Sequence, residues 1–289
     1  AAADVFGRKF SIPKRFARYE DLARDPEVDV VYVATPHTLH RENCLLLVGE
    51  GKSVLCEKPF TINAVEAEEV IALSRKNRCF LMEAMWTRFL PAFVKVKQIL
   101  QEGLVGDIRM ITASFGFKAG FDPKHRLFNP DLGGGSLLDV GVYPVSLVSL
   151  VFGQPSFISS QAILGDTGVD ELAAMVFGYK QGQLAVLSSA VCTEIPQDAY
   201  LLGTRGWIHI HSPWWRSKKL SLKIGDKERV LKLPYKGNGY SFEAEEVMRC
   251  LRGGKLESEI MPLDESLAIM ETMDRIRAQW GLRYPAEKF

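Results

Sequence analysis

The sequence has few features of secreted, membrane-bound or nucleic-acid-binding proteins. Five cysteines are scattered over 289 residues without C-x-x-C spacing, which predicts reduced thiols, no zinc site and a cytoplasmic protein. Thirty-six basic and 35 acidic residues give no electrostatic reason to expect nucleic acid or an anionic membrane as partner. No apolar run reaches membrane-spanning length, and the N-terminus lacks the apolar segment of a signal peptide. A small molecule is therefore the expected ligand.

The first part of the chain alternates short strands with helices. Buried β-branched or apolar runs separated by helices, with short loops between them, are typical of βαβ units and a parallel sheet. Asn63 followed by Glu66 is a capping box that predicts a helix start. The predicted strands are Val28–Ala34, Val54–Cys56 and Cys79–Glu83, and the predicted helices are Arg41–Gly49 and 63–77.

After Glu83 the pattern changes to runs that favour an antiparallel meander. The amphipathic helix Ala92–Glu102 comes first, and a helix over Asp139–Val151 interrupts the strands. Two helices, Phe242–Arg252 and Leu263–Trp280, close the chain. The predicted strands are Asp107–Phe117, Phe157–Leu164, Glu171–Tyr179, Gln183–Cys192, Ala199–Leu202, Trp207–His211, Leu220–Ile224 and Glu228–Leu233.

The fold class predicted is thus α/β followed by α+β, with a parallel sheet and then a large, mostly antiparallel open sheet. The change falls near Trp86–Pro91, and such a seam is a usual place for a ligand site. The run S-V-L-C-E-K-P-F (Ser53–Phe60) ends a buried strand in charge, and Pro59 cannot continue the ladder. Lys58 is therefore expected at the carboxyl edge of the sheet, where ligands bind in open α/β folds. For an isolated E-K-P, a solvated lysine would be the better interpretation.

Three longer motifs carry a family resemblance. The motifs are V-D-V-V-Y-V-A-T-P-H-T-L-H (Val28–His40), V-L-C-E-K-P (Val54–Pro59) and G-G-G-S-L-L-D-V-G-V-Y-P-V (Gly133–Val145). Together they resemble the glucose–fructose oxidoreductase / inositol dehydrogenase / rhizopine-catabolism family of NAD(P)-dependent oxidoreductases. Three shorter motifs further resemble its dimeric dihydrodiol dehydrogenase and D-xylose dehydrogenase branch. They are M-E-A-M-W-T-R-F (Met82–Phe89), G-T-R-G (Gly203–Gly206) and P-L-D-E-S (Pro262–Ser266). Each motif is weak alone, and their order along the chain makes the resemblance strong.

The resemblance implies two domains and a dinucleotide. Residues 1–88 would form a partial dinucleotide-binding Rossmann domain, and residues 89–289 a substrate-binding and dimerisation domain whose C-terminal helix is a candidate to pack back on the first. The implied cofactor is NADP or NAD, and the implied substrate is a sugar or a diol. The open face of the antiparallel sheet would pair with a second copy to form a homodimer, since a bare sheet face would otherwise expose apolar side chains.

The catalytic residues implied by the resemblance are Lys58, Tyr143 and Asp139. Hydride loss from an alcohol carbon needs a nearby proton acceptor or a positive charge, and a partly desolvated lysine offers either. Asp139 and Tyr143 are four residues apart and so lie on one helix face. Tyr143 would exchange the hydroxyl proton, with its pKa of about 10 lowered by Lys58, while Asp139 orients the diol or the tyrosine. Without the lysine motif, a seam tyrosine and an N-cap aspartate would be preferred.

Further site residues follow from the same resemblance. Arg126 resembles a position near the substrate, although a loop arginine is more often solvated. Trp86 could equally belong to an interdomain core. The alternative for His40 is a purely structural role in capping or packing its helix. Residues predicted to contact the cofactor are Thr35, Pro36, His37, His40, Glu57, Lys58, Trp86 and Arg88. Residues predicted to contact the substrate are Trp86, Phe89, Arg126, Asp139 and Tyr143.

No metal site is predicted. His209 and His211 alternate on a strand and so share a face, but no third ligand is evident, which favours histidines on a sheet surface.

The phosphate-binding part of a dinucleotide fold is missing from the sequence. No G-x-G-x-x-G follows a strand and opens a helix, and a βαβ unit of roughly 30 residues or more is absent. The chain is thus either an N-terminal truncation of an oxidoreductase or a natural short form. Retention of Lys58, Asp139 and Tyr143 favours truncation. The alternative function is a non-catalytic sugar-binding or scaffold homologue that has lost dinucleotide binding.

Overall fold

The computed structural model describes residues 2–287 and contains two sheets. The smaller sheet is parallel, with strands in the order β1 (Val30–Val33), β2 (Ser53–Glu57) and β3 (Leu81–Ala84). Val31 pairs with Val54, which in turn pairs with Leu81. The predicted parallel α/β arrangement is confirmed.

Four helices belong to the part of the chain that forms the smaller sheet. They are α1 (Ala2–Lys9), α2 (Tyr19–Arg24), α3 (His40–Gly49) and α4 (Ala64–Asn77). The helix α3 packs against β1, β2 and α4. At the start of α4 the Asn63 side chain accepts a hydrogen bond from the Glu66 backbone N–H at 2.8 Å, which confirms the predicted helix start.

The larger sheet has eight strands and is not the simple meander predicted from the sequence. Its order is β11-β10-β9-β8-β4-β7-β6-β5, and β4 runs parallel to β7 while every other neighbouring pair is antiparallel. The long connection 117–156, which contains a helix, carries the chain from β4 to the far edge, and a crossover of this length permits the parallel pair. The strands are β4 (Ile108–Gly116), β5 (Phe157–Leu164), β6 (Asp170–Gly178), β7 (Leu184–Ala190), β8 (Ala199–Gly203), β9 (Gly206–Ile210), β10 (Lys219–Ile224) and β11 (Lys227–Lys232).

Four more helices and one π-helical turn complete the fold. They are α5 (Pro91–Gln101), the π-helical turn Leu137–Gly141, α6 (Val142–Phe152), α7 (Ser241–Arg252) and α8 (Leu263–Ala278). The π-helical turn and α6 lie on β4 and β7, whereas α8 contacts α4 and β3 on one side and α6 and β5 on the other. One continuous cluster of buried apolar side chains therefore joins the two sheets.

One stretch differs from the expectation that no apolar segment reaches membrane-spanning length. The stretch Pro130–Phe152 is long and apolar enough to cross a membrane by length and composition. However, 78% of its apolar window is buried inside the protein, and the core helix of a soluble protein passes the same test.

Candidate active site

A cavity of about 610 Å³ opens at the carboxyl ends of β1 and β2, opposite the π-helical turn. Strand ends, the turn and β4 contribute its walls, so it lies where the two sheets meet. It is lined by Ala34, Thr35, Pro36, His37, His40, Glu57, Lys58, Phe115, Phe117, Arg126, Leu132, Asp139, Val140, Tyr143 and Tyr240. Nine of the twelve site residues predicted from the sequence are among them, and the other three are Trp86, Arg88 and Phe89.

Lys58 reaches across this cavity from the end of β2 to the π-helical turn. Its ammonium group donates to the backbone carbonyl of Asp139 at 2.7 Å and lies 3.5 Å from the Asp139 carboxylate and 5.0 Å from the centre of the Tyr143 ring. Burial opposes its charge, but Tyr143, Asp139 and Glu57 outweigh burial and raise the pKa of Lys58. Lys58 is therefore a fixed positive charge beside the tyrosine.

Asp139 is the counter-charge of this lysine. Its side chain is almost fully buried, and its Oδ1 accepts a hydrogen bond from Arg126 at 2.6 Å. Burial alone would raise the pKa of Asp139, yet Lys58 and Arg126 together lower it to about 2. Asp139 is thus ionised at neutral pH and holds both cations at the cavity wall, which makes it an orienting group and not a proton donor.

Tyr143 starts α6 with its hydroxyl at the edge of the cavity. The indole N–H of Trp86 donates a hydrogen bond to this hydroxyl at 3.0 Å. Because the indole can only donate, the tyrosine keeps its own proton free for another acceptor. Burial raises the pKa of Tyr143 to about 12, and Lys58 and Trp86 offset only part of that rise. The predicted net lowering of this pKa is therefore wrong for the structure described, although Lys58 acts in the predicted direction.

The segment after β1 forms the opposite wall. The Nδ1 atom of His37 lies 3.0 Å from the Gly133 carbonyl oxygen, and burial together with Lys58 lowers the pKa of His37 to about 3. His40 is buried, with its ring nitrogens 2.9 Å from the carbonyl oxygens of Pro59 and Thr35. His40 lines the cavity and also ties the strand ends together, so both interpretations of this residue describe part of its position.

Glu57 completes the strand end. Its carboxylate accepts a hydrogen bond from the Lys58 backbone N–H at 3.1 Å and another from the Tyr32 hydroxyl. The side chain is only partly buried and lies on the cavity wall. A carboxylate in this position can accept hydrogen bonds from hydroxyl groups of a ligand.

Two predicted residues lie elsewhere. Arg88 is buried outside the cavity, where it donates to Ser146 and forms an ion pair with Glu265 at 2.6 Å. Phe89 belongs to the hydrophobic core and does not line this cavity. Arg88 joins the seam to α6 and α8, which is a structural position, and its predicted contact with a cofactor has no support in this geometry.

Several aromatic residues of the site were missed by the sequence reasoning. Phe115 and Phe117 alternate at the end of β4, and the Phe115 ring lies 5.2 Å from that of Tyr143. Tyr240 stands just before α7, with its ring 4.8 Å from the Trp86 ring. The alternation of Phe115 and Phe117 at a strand end was a signal that could have found them, whereas nothing local distinguishes Tyr240.

A buried polar network holds the loop that carries Asp139. The Asp170 carboxylate accepts hydrogen bonds from the Ser136 hydroxyl at 2.8 Å and the Leu137 N–H at 2.7 Å. Gly135 has a φ of +110°, and a Cβ there would lie 2.2 Å from the Asp170 Oδ1. Tyr284 donates to the Gly134 carbonyl at 2.7 Å. Gly135 is therefore needed for the close approach of this loop to Asp170.

Within residues 2–287 no group of three histidine, cysteine or carboxylate side chains is arranged for a metal ion. The Nε2 of His209 lies 2.6 Å from the Asp198 carboxylate, and its ring stacks on Tyr200 at 4.1 Å. The ring of His211 lies 3.9 Å from that of His209. This placement on the sheet agrees with the prediction made for the two histidines.

Family models match most of the chain. Residues 1–85 match the oxidoreductase family with an NAD-binding Rossmann fold, and residues 93–209 match the GFO/IDH/MocA C-terminal domain. The chain belongs to the Gfo/Idh/MocA oxidoreductase family. The resemblance read from the motifs is therefore confirmed, and with it the NAD(P)-dependent oxidoreductase class.

Individual relatives of this Gfo/Idh/MocA chain point the same way. The trans-1,2-dihydrobenzene-1,2-diol dehydrogenase of Xenopus tropicalis is 39% identical over 98% of this chain and 88% of the relative, and the enzyme of that name from Homo sapiens is 36% identical over 99% and 87%. Among solved structures, an aldose-aldose oxidoreductase from Caulobacter crescentus complexed with glycerol superposes with a TM-score of 0.86 at 25% identity, covering 96% of this chain and 87% of the other. The 3-ketoreductase KijD10 from Actinomadura kijaniata, in complex with NADP and TDP-benzene, has a TM-score of 0.83 at 25% identity, covering 96% and 85%.

The cavity suits the nicotinamide half of such a cofactor. Its floor is the carboxyl edge of a parallel sheet, its walls include Thr35, His37 and Glu57, and Lys58 and Tyr143 stand at its inner end. The glycine run Gly133–Gly135 beside it is held by contacts with Asp170 and Tyr284. The described residues therefore fit the reactive ring of a nicotinamide, and the Gly133 loop is not a phosphate-binding turn.

Proposed function

We propose that this protein transfers a hydride between a nicotinamide dinucleotide and a secondary hydroxyl carbon of a sugar or a trans-dihydrodiol. The observation that carries the proposal is the Lys58, Asp139 and Tyr143 arrangement on one wall of the cavity. A buried cation beside a tyrosine side chain is an arrangement that suits proton exchange with a substrate oxygen. The relatives named as dihydrodiol dehydrogenases support the substrate class.

Each residue has one task in this proposal. NAD or NADP, when bound, supplies or accepts the hydride. Tyr143 exchanges the proton of the substrate hydroxyl: its tyrosinate accepts that proton during oxidation, and its phenol donates a proton to the carbonyl oxygen during reduction. The Trp86 N–H bound to the Tyr143 oxygen stabilises the tyrosinate. Lys58 lowers the free energy of that anion by its charge. Asp139 holds Lys58 and Arg126 in position, while Thr35, Pro36, His37, His40 and Glu57 line the cofactor side.

Steady-state kinetics of Tyr143→Phe tests the proposal. Reduced nicotinamide would be followed by absorbance with D-xylose, D-glucose and a trans-dihydrodiol as substrates and with NADP and NAD in turn. Loss of a general acid–base should lower kcat by roughly 10²- to 10⁴-fold and leave KM nearly unchanged. Tyr19→Phe, on an exposed tyrosine of α2, is the matched control and should keep wild-type kinetics.

Two outcomes would contradict it. If Tyr143→Phe keeps the kcat of an active wild type, Tyr143 is not the proton-exchanging group. If wild type binds sugars, as seen by tryptophan fluorescence, but turns over none with either dinucleotide, the non-catalytic sugar-binding homologue becomes the better interpretation.

The proposal also covers the division into domains and the cellular compartment. The division into residues 1–88 for the dinucleotide and residues 89–289 for substrate and dimerisation follows the two sheets. All five cysteines are free, and four of them are buried, which supports a reducing, cytoplasmic compartment.

A homodimer through the larger sheet is also part of the proposal. Its open face presents exposed apolar side chains, among them Phe157 of β5, Val176 of β6, and Leu184 and Val186 of β7. Val176 and Val186 are cross-strand partners, so the apolar patch is continuous across the two strands. An apolar patch of this kind on a sheet face is typical of an interface between copies.

Sedimentation tests this interface. Wild type should sediment as a dimer at micromolar concentration, and Val186→Glu should shift it toward monomer by placing a charge in the apolar patch. Val94→Glu, at an exposed valine of α5, is the control and should leave the dimer intact. A wild type that is monomeric throughout would refute the interface.

A further inference from the structure

A second cavity of about 800 Å³ adjoins the first. Tyr143 and Tyr240 line both cavities, so the second one begins at the reacting hydroxyl. Its other walls come from the loop before β10 and from the segment before α7. They include Trp215, Arg216, Lys218, Lys219 and Tyr235, and Trp86 joins them from the turn after β3.

The inner part of this cavity is aromatic. The Trp86 and Tyr240 rings lie 4.8 Å apart, and Trp215 stacks on Phe115 with 3.4 Å between ring centres. Rigid aromatic faces next to the proton-exchanging hydroxyl suit a ring-shaped substrate. This part is therefore the place for the ring that carries the reacting carbon.

The outer part carries more positive than negative charge, since Arg216, Lys218 and Lys219 line it with a single carboxylate. The single carboxylate on its wall, Asp198, is already bound to the Nε2 of His209 at 2.6 Å and to the Ser212 N–H at 3.2 Å. Burial lowers the pKa of His211, so this histidine adds no charge at neutral pH. Three basic side chains thus stand at one end of the cavity against one carboxylate that is otherwise engaged.

These three cations differ in their hydrogen-bond and ion-pair partners. The Lys218 ammonium donates to the Tyr235 carbonyl at 3.0 Å and lies 4.3 Å from the centre of the Tyr235 ring. The Tyr235 hydroxyl in turn donates to the Arg216 carbonyl at 3.0 Å, which fixes the backbone of Arg216. The guanidinium of Arg216 and the ammonium of Lys219 have no hydrogen bond or ion pair within residues 2–287. Unpaired like charges repel, and an anion placed between them relieves that repulsion.

We propose that the substrate carries an anionic group, a carboxylate or a phosphate, on the side of its ring remote from the reacting carbon. Arg216 binds this group, and Lys219 adds to the attraction. Arg216 is chosen because a guanidinium pairs with carboxylate or phosphate through two parallel hydrogen bonds. The inference rests on the proposed function, since it assigns the substrate class to the same site.

The test compares D-glucose, D-glucuronate and D-glucose 6-phosphate as substrates of wild type, Arg216→Glu and the control Arg229→Glu. Arg229 is an exposed arginine of β11 outside the cavity, so its replacement changes the net charge equally. Wild type should use one or both anions with a kcat/KM roughly tenfold above that of D-glucose, mainly through KM and less so at high salt. Arg216→Glu should abolish this preference, and Arg229→Glu should keep it.

The three substrates and the two variants distinguish the possible outcomes. A preference for glucuronate alone or for the phosphate alone names the anionic group. Equal use of all three sugars by wild type, or a preference that survives Arg216→Glu, would overturn the inference while leaving the dehydrogenase proposal standing. If wild type turns over none of these sugars and no trans-dihydrodiol with either dinucleotide, the proposed function fails instead. Quenching of the cavity tryptophans by the same three sugars then decides the inference, because only an anion-binding site loses affinity for the anions in Arg216→Glu.

Discussion

Replacing Lys58 with methionine should remove most of the electrostatic help given to Tyr143. The ammonium lies 5.0 Å from the centre of the tyrosine ring. With the tyrosinate charge taken at the ring centre, two unit charges at that distance and an effective dielectric constant of about 20 interact by about 3 kcal/mol. Since 1.36 kcal/mol corresponds to a factor of ten, full tyrosinate formation in the transition state would make this worth roughly 100-fold in kcat. Partial charge development would make the loss smaller, so roughly 100-fold is the expected ceiling from this effect.

The assay is steady-state turnover of the best substrate as a function of pH, with folding checked by circular dichroism. Loss of the lysine should also raise the pKa of Tyr143 further, so any alkaline rise in the oxidation rate should move to higher pH in Lys58→Met. Lys9→Met is a matched control, because the Lys9 ammonium also lies over an aromatic ring, that of Phe10 at 5.3 Å, but far from the cavity. A Lys58→Met enzyme that is folded and keeps kcat within about threefold would refute the reasoning.

Two further predictions concern buried carboxyl groups and are read by urea unfolding. Burial, helped by Glu57, raises the pKa of Glu243 from 4.5 to about 8, so the folded protein holds a proton that the unfolded chain has lost over this range. The free energy of unfolding of wild type should therefore fall as pH rises from 4.5 to 8. In Glu243→Gln this fall should be smaller by roughly 2–4 kcal/mol. Identical pH profiles of the two proteins would contradict this prediction. Asp170→Ala should lower the free energy of unfolding by about 2–4 kcal/mol, because it leaves the Leu137 N–H without its acceptor and removes one partner of Ser136. Asp170→Asn should lower it by less.

Most elements could be predicted because their signals are local. The strand Phe157–Leu164 has the predicted bounds, and Asn63 caps α4 as its side chain indicates. The pairing of β4 with β7 could not be predicted in this way. Period-two alternation says that a segment is a strand, but the choice of neighbours depends on where a long connection re-enters the sheet. The antiparallel meander was therefore the simplest arrangement, and it was wrong around β4, which lies between β7 and β8 and runs parallel to β7.

The site shows the same division between local and tertiary information. Lys58 is held by a strand end and a proline, which the sequence displays, and the structure places it where it was expected. Trp86 and Arg88 stand in one 3₁₀ turn, Trp86–Phe89, whose geometry turns side chains two residues apart in different directions. Trp86 consequently meets Tyr143, while Arg88 meets Glu265. A motif read as one block could not separate these two positions.

The pKa of Tyr143 is the clearest case in which residue types alone are insufficient. A neighbouring lysine argues for a lower pKa, and Lys58 does act in that direction. How deeply the hydroxyl is buried depends on Phe115 and Trp86, which come from other elements, and this burial outweighs the lysine. Tyr143 therefore holds its proton at neutral pH, and the Trp86 N–H fills an acceptor position on its oxygen without taking that proton. A hydroxyl prepared in this way can donate directly to a substrate carbonyl, whereas alcohol oxidation must first draw on the charge of Lys58 to stabilise the anion.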